Sequence, residues 1–329
     1  MTRTIGAKLR LAATLLVTIA VLWLLLRRFG GGGTFAAVIS GASPSWMAIA
    51  LCASSACVLL GAERWRLVLA AMGHELRFRR SLEVVLATWP LAMVTPSRAS
   101  DLLRPLAVRD TVPIAAATGS VLVEKAMDLL VLLLFSAAGA AAQGLWIWAA
   151  VVGVLSVAEV AVIATVLINR GWLERLPVLR GRTAAIEQLF AALGALRRAP
   201  LQLLPPALAS LGIRFLTIAI LHALLVSVGA RMRLFDTMTL WPVAALVGIA
   251  PLTLAGIGTR DAAFIHLLAE RGSSVDPTQV LAATVGYSAI AIGVFAVVGL
   301  PFMIREMLRD RGAHAAPRRY ANTPGEQPK

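Results

Sequence analysis

The chain has 329 residues, 59% of them hydrophobic and only 15% charged, with a mean hydropathy of +0.81. That balance excludes an ordinary soluble domain and describes a protein that meets lipid over much of its surface. The formal net charge is +14, and only Lys8, Lys125 and Lys329 are lysines among 31 basic residues. The positive charge is therefore almost all guanidinium, the group that pairs in plane with phosphate and carboxylate; an Ala-, Gly- and Arg-rich genome would leave the same composition. In a membrane protein such a balance points to cytoplasmic loops beside anionic lipid and away from nucleic acid. Cys52 and Cys57 stand five apart in one apolar segment and four histidines are scattered, so no disulfide framework, metal site or cofactor is expected.

Arg3, Lys8 and Arg10 precede an apolar run over 11–26, and Arg27-Arg28 stands where a secretory signal would carry small residues for cleavage. The run is read as a retained first span. Residues 29–43, with glycines at 30 to 33, predict a flexible connection, and a second span follows over 44–62. Arg64, Arg66, Arg77, Arg79 and Arg80 flank a short polar loop, which places it on the cytoplasmic side with the N-terminus.

The next apolar piece, 82–94, contains Trp89-Pro90 and is too short to span. It predicts a re-entrant hairpin that turns back at the break from Pro96 through Arg98 to Ser100 and returns Arg104 and Arg109 to the cytoplasmic side. A helical pattern then covers 114–142 and carries Glu124 deep in the hydrocarbon. Asp128 shares a face with Glu124, and Lys125 lies one position round. A charge at mid-bilayer costs roughly 2.5 to 3.5 kcal/mol, and broken backbone is tolerated there only inside protein or beside water. The stretch 81–130 is therefore expected to line a polar cavity within the membrane.

A span over 145–168 comes back inward with Glu159 near its middle. Six arginines in 169–200 mark a second cytoplasmic loop, in which 186–196 has amphipathic spacing suited either to the lipid surface or to packing on the protein. The span 205–228 contains Arg214, for which snorkelling to the interface is the simpler reading. From 234 the earlier design returns: Trp241-Pro242 parallels Trp89-Pro90, and a break with Pro251, Gly256 and Gly258 leads to Arg260-Asp261. The last span is 280–304, and 309–329 is expected to be a disordered basic tail. The predicted fold is all-α and polytopic, with about six full spans and two re-entrant hairpins in a transmembrane domain over 1–308. Units 81–142 and 234–304 would form an inverted repeat hinged at Pro96, Pro251, Gly256 and Gly258. The expected location is the plasma membrane, with both termini cytoplasmic.

These residues resemble the flippase-like family that includes the transmembrane region of lysylphosphatidylglycerol synthases. The likeness rests on Arg64-Trp65-Arg66, on the Pro96 to Asp101 break with Arg104, on Glu124-Lys125 with Asp128, and on Pro251 through Gly256 and Gly258 to Arg260-Asp261. It departs where the family has Pro-Gly at the breaks, where it favours Glu over Asp101 and Asp261, and where it has Arg in place of Lys125. A soluble aminoacyl-transferring domain is not expected, and the resemblance implies a stand-alone translocation module.

The leading expectation is movement of a lipid between leaflets, with no catalytic residues. Arg98, Arg104 and Arg260 would contact a headgroup phosphate; Asp101, Glu124, Lys125, Asp128 and Asp261 complete the binding set. Internal salt bridges that only hold broken helices together would use the same residues. The partner would be an anionic or polyprenyl-phosphate lipid, with a lipid-synthesis enzyme or a second copy as protein partner. The rival classes are a membrane-embedded lipid-modifying transferase, an ion-coupled solute transporter and a non-transporting accessory subunit.

Overall fold

A computed structural model describes residues 2–29, 34–93, 95–168, 194, 200–250 and 252–315, with the side chains of 2–14, 29, 34, 96–99, 166–168 and 310–315 left aside. Every regular element among them is helical. In chain order they are α1 (Thr2–Phe29), α2 (Thr34–Ser40), α3 (Pro44–Ala71), α4 (Phe78–Ala92), a 3-10 segment (Pro96–Leu103), α5 (Arg104–Ala107), α6 (Ile114–Ala142) and α7 (Trp146–Ile168). The second half gives α8 (Leu204–Ser227), α9 (Leu234–Val247), a 3-10 turn (Leu254–Gly256), α10 (Thr259–Glu270), α11 (Pro277–Ser288), a π turn (Ala289–Val294) and α12 (Phe295–Ala315). Among the described residues, four helical stretches are long and apolar enough to cross a membrane: Pro44–Ala71, Trp146–Thr165, Pro200–Ser227 and Pro277–Arg309. The protein is a multi-pass membrane protein.

Helix α6 occupies the predicted 114–142. The second span is longer than its sequence pattern suggests. Trp65, Val68 and Leu69 are fully buried and continue the packing stripe, so α3 runs to Ala71 and the polar loop shrinks to 72–77. Arg64 thus lies inside a helix and not beside a loop. The connection 29–43 contains a short helix, α2. Helix α12 continues to Ala315, beyond the residue at which the tail is expected to start. The amphipathic stretch 186–196, apart from residue 194, and the tail 316–329 lie outside the described residues, as does Pro251.

Packing joins the two halves reciprocally. Helix α3 lies along α8, α4 of the first half packs on α12 of the second, and α9 of the second packs on α6 of the first. Both cross-contacts are made at a glycine. A Cβ on Gly139 of α6 would sit 2.2 Å from the Thr239 carbonyl oxygen of α9, and one on Gly299 of α12 would sit 2.3 Å from the Leu86 carbonyl oxygen of α4. Small residues let helix backbones approach this closely, the usual basis of tight packing in lipid. Pro90 and Pro242 lie inside the short helices α4 and α9.

Each short helix ends at a break, and the two breaks touch. The second break is held by α1, where the Leu254 N–H donates to Thr18 Oγ1 at 2.8 Å. Gly258 then takes φ +92°, a conformation closed to most side chains, and starts α10. Its N–H is satisfied by Asp261 Oδ2 at 3.0 Å.

Candidate functional site

The first break and α6 deliver charged side chains to the face of α3. Arg64 is the hub. Its Nη1 donates to Asp128 Oδ1 and to Ser210 Oγ (3.0 Å), and its Nη2 donates to Glu124 Oε1 and to Asp128 Oδ2 (3.0 Å). Glu124 accepts a second bond on Oε2 from Arg104 Nη1 at 2.9 Å. Arg104 Nη2 donates to Asp101 Oδ1 at 2.8 Å, and Asp101 Oδ2 accepts from Lys125 Nζ. Acid and base alternate from Asp128 through Arg64, Glu124, Arg104 and Asp101 to Lys125.

The local fold accounts for this order. One helical turn separates Glu124 from Asp128, so both reach α3. The 3-10 segment tightens the chain after α4, so that Asp101 and Arg104 fall three apart on one side and form their own pair. Arg64, Asp101, Arg104 and Glu124 are only 2 to 6% exposed, whereas the side chains of Asp128 and Lys125 are 32% and 37% exposed. The ladder is buried at its middle and open at its ends. Trp65 supports it from behind: its Nε1–H donates to Ser120 Oγ at 2.9 Å and its ring lies 5.6 Å from the Arg104 guanidinium.

A cavity of about 100 Å³ adjoins the ladder, lined by Arg64, Asp101, Arg104, Glu124, Lys125 and Asp128 together with Cys57, Thr88, Trp89, Thr217 and Tyr287. It is several times the volume one water needs, and its polar lining favours hydration. Two guanidinium nitrogens of its lining, Nε of Arg64 and Arg104, are buried and bonded to no acceptor among the described residues, as is Nε of Arg214 on α8.

The structure brings five of the expected site residues into this ladder: Asp101, Arg104, Glu124, Lys125 and Asp128. The side chain of Arg98 lies outside the described residues; its backbone is in the 3-10 segment. Arg104 is buried, held by ion pairs with Glu124 and Asp101. Arg260 and Asp261 form a separate box. Arg260 bonds Asp261 Oδ1 through Nε and Nη2, donates to Ser288 Oγ at 2.8 Å, and lies 4.9 Å from the rings of both Trp241 and Tyr287. Tyr287 lines the cavity and its ring also meets Arg260.

Arg64 is the member that sequence reasoning misplaced, as a loop-flanking arginine. The apolar stripe that resumes at Trp65, Val68 and Leu69 was the available signal, since it puts Arg64 within a helix. Ser210, Thr88 and Tyr287 carry no such signal. Arg214 on α8 lies beside the ladder, with its Nη2 3.5 Å from the Asp128 carbonyl oxygen. Glu159, on α7, takes no part in the ladder, and its buried Oε2 has no hydrogen-bond partner among the described residues. Among the described residues no group of three His, Cys, Asp or Glu is arranged to hold a metal ion.

No curated protein matches the chain. A family model described as "Lysylphosphatidylglycerol synthase TM region" matches residues 11–299, which contain the charged ladder, both breaks and the two close glycine contacts at 139 and 299. On that match the chain belongs to the lysylphosphatidylglycerol synthase TM region family.

Proposed function

We propose that this protein moves a phosphate-bearing lipid from one leaflet of the plasma membrane to the other, as a flippase-like translocase that makes and breaks no covalent bond. The observation that carries the reading is the buried, alternating ladder of acid and base beside a hydratable cavity in a chain built of apolar helices. Flipping a lipid unaided is slow because its polar headgroup must leave water. A cavity lined by guanidinium and carboxylate groups replaces that water while the acyl chains stay in lipid. The family's name, which refers to a lipid synthase, agrees with a lipid as cargo.

The reciprocal packing supports an inverted repeat as the moving framework. Arg80, Glu83, Trp89 and Pro90 on α4 have counterparts in Asp236, Trp241 and Pro242 on α9 and in Arg233, the residue before it, and each short helix packs on the long helix of the other half. Six full spans with two re-entrant hairpins and cytoplasmic termini complete the proposal, with alternating access by rocking of one unit against the other.

The test is reconstitution of the purified chain in liposomes that carry fluorescent phosphatidylglycerol, followed by quenching of the outer leaflet with dithionite. The wild type should bring inner-leaflet lipid within reach of the quencher, and Glu124→Gln should slow this at least about tenfold, the effect of about 1.4 kcal/mol. Liposomes with wild-type protein that behave like empty ones would end the translocase reading. Equal rates for wild type and Glu124→Gln would end the assignment of the ladder to transport.

A further inference from the structure

Helix α4 is both a wall of the cavity and the partner of α12. Val85, Thr88, Trp89 and Ala92 follow one another at helical spacing and line the cavity, while Leu86 and Pro90 meet Gly299 of α12. The two helices run antiparallel, with Arg80 beside Glu306, Leu86 beside Gly299, and the rings of Trp89 and Phe295 5.6 Å apart. One face of α12 therefore carries Phe295, Gly299, Phe302 and Glu306, with Phe302 packed in the cluster of Val58, Leu86 and Phe295. The opposite face, with Val297, Leu300, Ile304 and Leu308, is apolar and 42 to 68% exposed, as suits a helix that meets lipid.

At one end the seam between these helices reaches the cavity. Trp89 lines the cavity from α4, and Ala291 lines it from the π turn at the root of α12. Single π turns within helices occur mostly at functional sites, and Pro90 and Pro301 each interrupt the hydrogen bonding of their helix. At the other end Arg80 bonds Glu306 through both terminal nitrogens, Nη2 to Oε2 at 2.8 Å, and Nη2 also donates to the Ala107 carbonyl oxygen at 2.6 Å. Ala107 closes α5, which begins at Arg104, so the pair is tied to the Arg104–Asp101 arm of the ladder. Glu83 stands 3.8 Å from Arg80 and 3.6 Å from Arg305 and completes the cluster. The side chains of Arg80 and Glu306 are 20% and 17% exposed. Water can therefore take up their charges when they part, which the buried middle of the ladder does not allow.

We propose that the seam between α4 and α12 is a gate of the cavity, latched by the Arg80–Glu306 ion pair. With that pair open, the seam keeps its apolar contacts and the more exposed Glu83–Arg305 pair. Parting then admits water from the latched end as far as Trp89, and a lipid headgroup enters sideways while its acyl chains stay outside. The reciprocal seam of α9 on α6 is fastened differently: Gln143 Nε2 donates to Asp236 Oδ1 at 3.1 Å and to Thr239 Oγ1 at 2.6 Å. No described residue of α9 lines the cavity, so loosening that seam leaves the cavity closed. The gate rests on the translocase reading for what passes through it; access to the cavity is measurable with or without transport.

The first arm of the test reads access to Cys57, which lines the cavity. In purified full-length protein carrying Cys52→Ser, the rate at which a charged methanethiosulfonate reagent modifies Cys57 is followed by intact mass. Glu306→Gln should raise that rate at least about fivefold, equivalent to about 1 kcal/mol. Arg80→Lys keeps an ion pair and should stay within about twofold of the parent protein. Gln143→Leu, at the reciprocal seam, should leave the rate unchanged. If Glu306→Gln does not fold, Phe302→Ala loosens the same seam one turn from the latch and should raise the rate in its place.

The second arm reads movement. In protein carrying Cys52→Ser and Cys57→Ser, Arg80→Cys and Glu306→Cys are joined by a short bis-maleimide, with a monofunctional maleimide as the comparison, and lipid transfer is measured in liposomes. The bridged protein should stop transferring lipid while the singly modified one continues. Labelling of Cys57 that neither Glu306→Gln nor Phe302→Ala accelerates, or a rise of the same size in Gln143→Leu, would overturn the gate; so would transfer that continues across the bridge. Faster labelling in the latch variant of a protein that transfers no lipid would sink the translocase reading and leave the gate standing. Steady transfer with no response of labelling to the latch would do the reverse.

Discussion

Arg64 of α3 and Glu124 of α6 are hydrogen-bonded across the helix interface, and each holds a further partner of opposite charge: Arg64 holds Asp128, and Glu124 holds Arg104 at 2.9 Å. The pair therefore joins both arms of the ladder. In a medium of low dielectric, such a chain gains from every satisfied contact and suffers from every broken one. The two residues come from positions 60 apart in sequence, so their pairing also fixes α3 against α6.

Removing the hub should cost far more than removing a surface pair. Arg64→Met leaves Glu124 and Asp128 without their shared cation, and a loss of about 3 to 5 kcal/mol is expected for a buried pair broken on one side. Arg79→Ala removes the pair with Glu83, in which Arg79 is 86% exposed, and should change stability by less than about 1 kcal/mol. Melting of both variants in one detergent gives the comparison. Equal shifts would mean that the ladder is solvated and carries no special weight.

Ser120 tests the support behind the ladder. It is fully buried, and its hydroxyl accepts from the Trp65 indole N–H. Ser120→Ala leaves that donor buried and unpaired, at an expected cost of about 1 to 3 kcal/mol. Tryptophan emission should shift as well, since Trp65 loses its hydrogen bond. A variant with unchanged melting and emission would contradict the placement of Trp65.

The reciprocal contacts predict two sensitive glycines and one tolerant one. Gly139→Ala and Gly299→Ala each press a methyl group against a carbonyl of the facing short helix, and each should destabilise by about 1 to 3 kcal/mol through overpacking. Gly61→Ala meets nothing within 4 Å and should be neutral or slightly stabilising, because alanine favours a helix by about 1 kcal/mol over glycine. Melting temperatures rank the three. Tolerance of alanine at both 139 and 299 would rule out the close approach of the two halves.

The two cysteines report on cavity hydration without any engineered label site. Cys57 lines the cavity, whereas Cys52 sits on the exposed, apolar side of α3. In the Cys52→Ser variant, a small charged methanethiosulfonate reagent should modify the remaining thiol. In the Cys57→Ser variant, Cys52 should react at least about tenfold more slowly, since a thiol facing lipid is seldom ionised or reached by a charged reagent. Intact mass resolves both. Faster reaction at Cys52 would place water on the wrong face of the helix.

Much of the helix inventory is written locally in the chain. The 114–142 helix, the short apolar helices with Trp89-Pro90 and Trp241-Pro242, and the breaks after them follow from apolar run length and from proline and glycine, which act on backbone within a turn or two. The concentration of charge in the stretch 81–130 was equally visible, because polar side chains in an apolar run are conspicuous wherever they end up. Arg64 was not legible as a ladder member, since a flanking arginine and an interior one look alike until the rest of the helix is packed.

Sequence alone thus determined an apolar, helical, multi-pass chain with acid and base in its first broken unit. Only the tertiary structure decided that Arg64 and Glu124 meet, that Arg260 and Asp261 pair with each other beside Tyr287, and that Arg214 points to the Asp128 carbonyl. Helix periodicity says which side chains share a face, whereas the choice of charged partners depends on which faces approach. That approach is set by close backbone contacts such as Gly139 on Thr239, between residues a hundred positions apart.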